Sequence, residues 1–255
     1  MSTAPFGYRG STALSSANVN SPIHPAMAGC RMSPTPHASR ALKPMTHNAQ
    51  RKRQQPVTDI LPAIDPRHTA LLVMDFQARA LGAISEPGAL LARVADAIAI
   101  VRDRDGHIGY VRVGFEDAEY DAVPAHSMMA PFVAAGKAAH SESPATAVHV
   151  HVAPEPGDIV VRKTRVGAFS TTDLDTQLRD RNITTLILAG ITTSGVVLST
   201  LRDAHDRDYR VVVLADATAD SQADVHDFLI EKIFPRQAQV ITIAELPALL
   251  STDGS

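Results

Sequence analysis

Three stretches of this chain place chemically useful side chains directly after apolar runs. ALLVMD ends in Asp75, DIVVRK ends in Lys163, and TLILAG ends in Gly190, followed by Thr192, Thr193 and Ser194. A carboxyl and an ammonium brought together can donate and accept a proton. Burial raises the pKa of a lone aspartate, and a nearby cation lowers it. The glycine turn adds a strand-to-helix junction, whose first N–H groups favour negative charge and are the raw material of an oxyanion hole. Gly190 admits a backbone conformation that a larger residue resists. Ser194 is placed to cap a helix beginning at Gly195. Each feature also has a plain structural reading: an ion pair at the rim of a sheet, and an ordinary strand-to-helix turn. The functional reading gains from their occurring together.

These residues need a scaffold that brings strand ends together. From Asp59 onward, short β-rich runs alternate with helical patterns. TALLVMDF (Thr69–Phe76) reads as a strand. A helix follows, with Leu90, Leu91, Val94, Ile98 and Val101 at helical spacing and Gly106 as its stop. IGYVRVGF (Ile108–Phe115) and DIVVRK (Asp158–Lys163) read as strands, and Ser170–Asn182 as a helix. Strand TTLILAG, helix SGVVLSTLRDAHDRD, strand RVVVLADA, helix ADVHDFLIEKIF and strand AQVITIAEL complete the series. Strands alternating with helices imply βαβ units and a parallel sheet. The expected architecture is a three-layer α/β/α sandwich with a six-stranded parallel sheet. Ligands of such sheets bind beyond the carboxyl ends of the strands, where Asp75, Lys163 and the Gly190 turn lie. The segment from Glu116 to Gly157 breaks the rhythm with Pro124, Pro131, Pro144, Pro154 and Pro156. A connection this long is often functional. It is a lid over the site, an arm to a neighbouring subunit or a surface excursion.

Composition narrows the partners. The chain has 255 residues, 45% of them hydrophobic, and a formal net charge of −3. That balance gives no reason to expect nucleic acid. No apolar run approaches the ~20 residues that span a bilayer. The single cysteine, Cys30, excludes an intramolecular disulfide and a cysteine-rich zinc site. Residues 1–58 hold no Asp or Glu but seven cations: Arg9, Arg31, Arg40, Lys43, Arg51, Lys52 and Arg53. Without apolar periodicity, this Ser/Pro-rich leader is expected to be disordered. It matches an organelle transit peptide in composition, or is a plain tail, or an extended start with Met45 as the first residue. The expected location is cytoplasmic, with organelle import as the alternative. Residues 59–255 form the expected domain.

LLVMDFQ, PGDIVVRKTRVGAFSTTDLDTQL and LILAGITTSGVVLSTLRDAHDRDYRVVVLADATAD, in this order and spacing, resemble the isochorismatase-like (cysteine hydrolase) superfamily over about Arg67 to Leu250. The resemblance implies an Asp general base at Asp75, a Lys at Lys163 and a cis peptide at Ile191–Thr192. Anchored on Gly190, Thr193, Thr200 and Ala204, it puts the family's nucleophilic cysteine at Val196. Valine cannot attack a carbonyl, so the thioester route to amides is closed. A branch of the family also lacks the cysteine and starts vinyl ether hydrolysis by proton transfer from the Asp. In that reading Asp75 is the acid, Lys163 tunes it and holds an acidic substrate, and Gln77 orients it. Phe115, Phe169, Ile191, Thr192, Gly195 and Val196 complete the expected substrate contacts.

No cofactor is expected, and no metal, because the Asp-x-His…His motif of nicotinamidase-like members is missing. HVHV (His149–Val152) puts two histidines on one face of an extended segment, too few for a site. His126, His140, His149, His151 and His226 are expected on loops and surfaces. The resemblance also implies a homodimer or homotetramer acting on an acidic or amide-like small molecule. The competing readings are a non-catalytic binding or scaffold protein that keeps Asp75 and Lys163 for stability, and a hydrolase using Ser194 or Thr193 as nucleophile.

Overall fold

The computed structural model describes residues 63–250. The expectations for the leader, Cys30 and Met45 fall outside the described residues. The elements run β1 (Thr69–Met74), α1 (Ala78–Leu81), α2 (Pro87–Arg102), β2 (His107–Val113), α3 (Ala130–Val133), β3 (Ile159–Lys163), α4 (Leu174–Asp180), β4 (Thr185–Ile191), α5 (Leu198–Asp206), β5 (Arg210–Ala219), α6 (Ala223–Phe228), β6 (Gln239–Ile241) and α7 (Leu246–Leu249). The six strands form one parallel sheet in the order β3-β2-β1-β4-β5-β6.

The apolar runs explain the layers. A parallel strand covered on both faces is buried throughout, and every residue of β1 and β4 is buried. Leu71, Val73, Ile187, Ala189, Val212 and Leu214 face one side, packed with α2 and α7. Ala70, Leu72, Met74, Leu186, Leu188, Val211 and Val213 face the other, with α4 and α5. The three-layer sandwich follows from this alternation. In α2, Leu90, Leu91, Val94, Ile98 and Val101 are all buried, together with Ala97. The helix ends at Arg102, before the glycine. Asp105 takes the left-handed turn at φ 59°. Gly106 is needed for a close approach, since a Cβ there would meet Val101 Cγ1 at 2.6 Å.

Several boundaries differ from the sequence expectation. β1 stops at Met74, because Asp75 adopts φ 61° and leaves the strand. The expected helix over Ser170–Asn182 shortens to Leu174–Asp180, after a loop in which the Thr172 hydroxyl donates to Ala168 O. The helix after Gly190 opens with a π-helical turn, Thr193–Val197, before α5. β5 is longer than expected, and its pairing with β4 shifts between Leu188 and Gly190.

The segment 116–157 folds back over the strand ends. Gln77 bridges Val148, and Phe115 bridges His140. His149 N–H donates to Phe76 O at 2.8 Å, and Ser141 N–H to Phe115 O at 2.9 Å. Val113, Phe115, Met129 and Ala139 form a small core of their own beneath it. Among the three readings of this segment, the structure supports a cover over the site.

Candidate active site

A cavity of about 400 Å³ opens beyond the carboxyl ends of β1, β3 and β4, roofed by the 116–157 segment. Its lining includes Asp75, Gln77, Lys163, Ile191, Thr192, Gly195 and Val196. Seven of the nine residues expected at the site therefore reach one place.

The left-handed backbone at Asp75 takes the residue out of the β1 alternation, while its N–H still donates to Val111 O at 2.8 Å. Asp is among the few residues that tolerate this conformation. Lys163 ends β3, and β2 lies between it and β1. The two strand ends are not neighbours. The lysine side chain spans the width of β2 to reach the aspartate. Lys163 Nζ donates to Asp75 Oδ2 at 2.8 Å and to Val166 O at 2.5 Å. Lys163 is 1% exposed and Asp75 9%. Burial pushes the Asp75 carboxyl above the usual aspartate range, against the opposing pull of the Lys163 charge. Asp75 Oδ1 is buried and makes no hydrogen bond.

Gln77, in the cavity lining, is bound to backbone at both ends of its amide. Its Nε2 donates to Val113 O at 2.8 Å and Thr146 O at 2.6 Å, and its Oε1 accepts from Val113 N–H at 2.9 Å. These bonds join β1, β2 and the cover. Phe115 and Phe169 are not in the cavity lining. Phe115 is fully buried against Tyr120, with ring centroids 5.6 Å apart. Phe169 packs on Tyr209 at 6.1 Å, with Arg207 4.9 Å over its ring.

The Gly190 turn also departs from expectation. Gly190 sits inside β4, and its smallness serves packing: a Cβ would meet Met74 Cβ and Val197 Cγ2 at 3.1 Å. The Ile191–Thr192 peptide is cis, as the resemblance implies. Ser194 does not cap the helix. Its N–H and hydroxyl both donate to Asp220 Oδ2, at 2.8 and 2.7 Å, so the protein's own carboxylate occupies this side of the helix start. Gly195 N–H and Val197 N–H donate to Thr192 O. Val196 is 2% exposed and presents an apolar wall to the cavity.

Sequence reasoning missed a pair behind the turn. Thr193 Oγ1 lies 2.8 Å from His226 Nδ1. His226 is half-buried on α6 rather than exposed, and burial lowers its pKa. The hydroxyl-imidazole geometry suits a nucleophile, but Thr193 is fully buried and outside the cavity lining. His149 and His151 lie at a 3-10 turn, not an extended segment, with rings stacked at 5.1 Å. Among the described residues, no group of three or more His, Cys, Asp or Glu is arranged to hold a metal ion. No helix among them is long and apolar enough to cross a membrane.

The family model of the isochorismatase domain matches residues 69–245. The chain belongs to the isochorismatase family. Its sheet and helices superpose on an isochorismatase family protein from Burkholderia thailandensis with a TM-score of 0.65 and 31% identity, covering 75% of this chain and 99% of that one. The isochorismatase family protein YwoC of Bacillus subtilis is 31% identical over 184 residues, 71% of this chain and 94% of its own. The ureidoacrylate amidohydrolase RutB of Methylobacterium radiotolerans is 35% identical over 177 residues, 61% of this chain and 69% of its own. In this isochorismatase-family hydrolase, the cavity over the strand ends holds the Asp75–Lys163 pair and, among the described residues, no thiol.

Proposed function

We propose that this protein is a cysteine-independent hydrolase whose reaction begins with proton transfer from Asp75. The observation that carries the reading is the state of that carboxyl. Oδ2 is bound to the Lys163 ammonium, and Oδ1 is buried without a hydrogen bond. Burial raises its pKa, which favours the protonated form, and Oδ1 is the oxygen left to hold the proton. A general acid works best when its pKa lies near the operating pH. On a vinyl ether, the Asp75 proton goes to the terminal carbon of the double bond. Water then adds to the resulting oxocarbenium carbon, and the C–O bond breaks to give a carbonyl and an alcohol. No side-chain nucleophile is needed, in keeping with Val196 on the cavity wall. Lys163 tunes Asp75. Its remaining N–H, beyond those given to Asp75 and Val166, is the donor left for a substrate oxygen.

The likeness to an amidohydrolase makes amides the second substrate class. With no thiol among the described lining residues, Asp75 would there act as the base that activates water. Both routes pass through Asp75. Purified protein should be offered a panel of vinyl ethers, amides and ureas. Asp75→Asn is expected to lower turnover of any substrate found by at least about 100-fold. An undiminished rate in that variant rules the mechanism out. No turnover across the panel by the native protein favours a binding or scaffold role.

A further inference from the structure

The chemistry above uses one acid and one cation of the cavity and leaves two cations without a task. Arg79, from α1, and Arg165, two residues beyond β3, line the same cavity as Asp75 and Lys163. Among the described residues these four are the ionisable side chains of the lining. Lys163 is bound to Asp75 at 2.8 Å, and in either state of that carboxyl the two guanidinium groups are positive charge beyond the pair.

Neither guanidinium is neutralised by a described residue. No carboxylate among the described residues forms an ion pair with Arg79 or Arg165. The carboxylate that feels the Arg165 charge, Glu119, is held by Arg162 at 2.6 Å. Arg165 donates instead to two backbone carbonyls, Thr164 O at 2.8 Å and Ala122 O at 3.2 Å. These fix the group in place without cancelling its charge. Arg79 lies 4.3 Å over the Phe132 ring. A guanidinium resting on a ring face keeps its N–H donors for a planar anion, which it can grip through two parallel hydrogen bonds. Arg165 is thus anchored and Arg79 rests on a ring, and both keep spare donors.

The rest of the wall asks for the opposite chemistry. Ala80, Val113, Met129, Phe132, Ile191 and Val196 present apolar surface to the same space. A cavity of about 400 Å³ falls within the range of roughly 300–1,000 Å³ usual for small-molecule sites, where apolar walls take the body of a ligand and a few polar groups fix its orientation.

We infer that Arg79 and Arg165 are the specificity residues of this cavity, and that it takes a carboxylate with an apolar body rather than a neutral amide. The inference rests on reading the cavity as the substrate site. It concerns recognition, not proton transfer, and the two are tested separately.

Isothermal titration of the full chain with hexanoate, 4-phenylbutanoate and their primary amides measures recognition without turnover. The acids should bind at least about tenfold more tightly than the matched amides, since hydrogen bonds to a charged group carry more than the ~1.4 kcal/mol of a tenfold ratio. Arg79→Gln and Arg165→Gln should each remove most of that ratio, with a circular dichroism spectrum and melting temperature close to native reporting an intact fold. Arg79→Lys should restore only part of it, because an ammonium keeps the charge without the fork. Asp75→Asn should keep the preference, even though the proton-transfer reading requires that variant to lose turnover. Equal binding of acids and amides by the native protein, a ratio unmoved in both glutamine variants, or no binding of either acid overturns the inference. So does collapse of the ratio in Asp75→Asn, which would make the Asp75–Lys163 pair the reader. Full turnover in Asp75→Asn with the ratio intact defeats the proton-transfer reading and leaves this one standing.

Discussion

Asp75 and Lys163 are each costly to bury alone, and each makes the other tolerable. Breaking a buried pair by removing one partner leaves an uncompensated charge, at a cost of about 3–5 kcal/mol. Lys163→Met should show that loss with a particular pH dependence. Burial raises Asp75 in the fold. The stability contribution of a raised acid is complete below its unfolded value, about 3.9, and is lost as pH rises through the folded value. Without the ammonium, which pulls the other way, the raised value climbs further and the loss extends to higher pH. Denaturant melts of Lys163→Met should therefore show the full deficit near neutral pH and a much smaller one at about pH 4. A deficit constant with pH would mean lost packing rather than lost charge. Asp75 and Lys163 were readable from sequence because each stands at the end of an apolar run. The role of Gln77 was not, because its partners, Val113 and the Thr146 carbonyl, are distant in sequence and belong to the backbone. Phe115 and Phe169 look like cavity residues by motif position, yet an aromatic ring next to a site can as easily be drawn into a neighbouring core.

The Thr193–Val197 turn is held from outside its own sequence. Asp220 binds Ser194 through two hydrogen bonds, and His226 binds Thr193. Both come from the stretch after β5, whose shifted pairing with β4 accompanies its extra length. No local pattern announces such a brace, since Ser194 looks like a helix cap until Asp220 is placed beside it. His226 makes the brace sensitive to acid. Burial lowers its pKa, opposed by Asp227 and Asp220, so the fold favours the neutral ring. The contribution of such a group is complete above the unfolded value, about 6.5, and is lost as pH falls through the lowered one. Melting temperature should fall as pH drops from about 6.5 toward 5, and His226→Gln should flatten that slope. A slope equal in both proteins would assign the effect to other groups. The regular elements, by contrast, were readable: β1 and β4 are buried at every position and read as unbroken apolar runs, and α2 keeps its face through helical spacing.

At the scale of the molecule, the sheet ends carry the Asp75–Lys163 pair while the 116–157 segment carries much of the cavity wall. Met128, Met129, Phe132 and Ala139 all come from that segment. The sheet order could not be read from the alternation of strands and helices, which fixes parallelism but not which strands are neighbours. That order puts β1 between β2 and β4, with Thr69 opposite Thr185 and Met74 opposite Gly190. During synthesis, β2 and β3 can join β1 early, but its other edge stays open until β4 emerges. Until then TALLVM is an exposed apolar edge, the kind that recruits other chains. A chain ended after Asn182 should be recovered as aggregate, whereas one ended after Leu250 should stay monodisperse or assemble to a defined size, as light scattering would report. Comparable solubility of the two would defeat this expectation. Timing follows as well. The carboxyl of Asp75 can meet Lys163 as soon as β3 has been made. The wall from Ile191 to Val196 closes beside it only when the last third of the protein arrives.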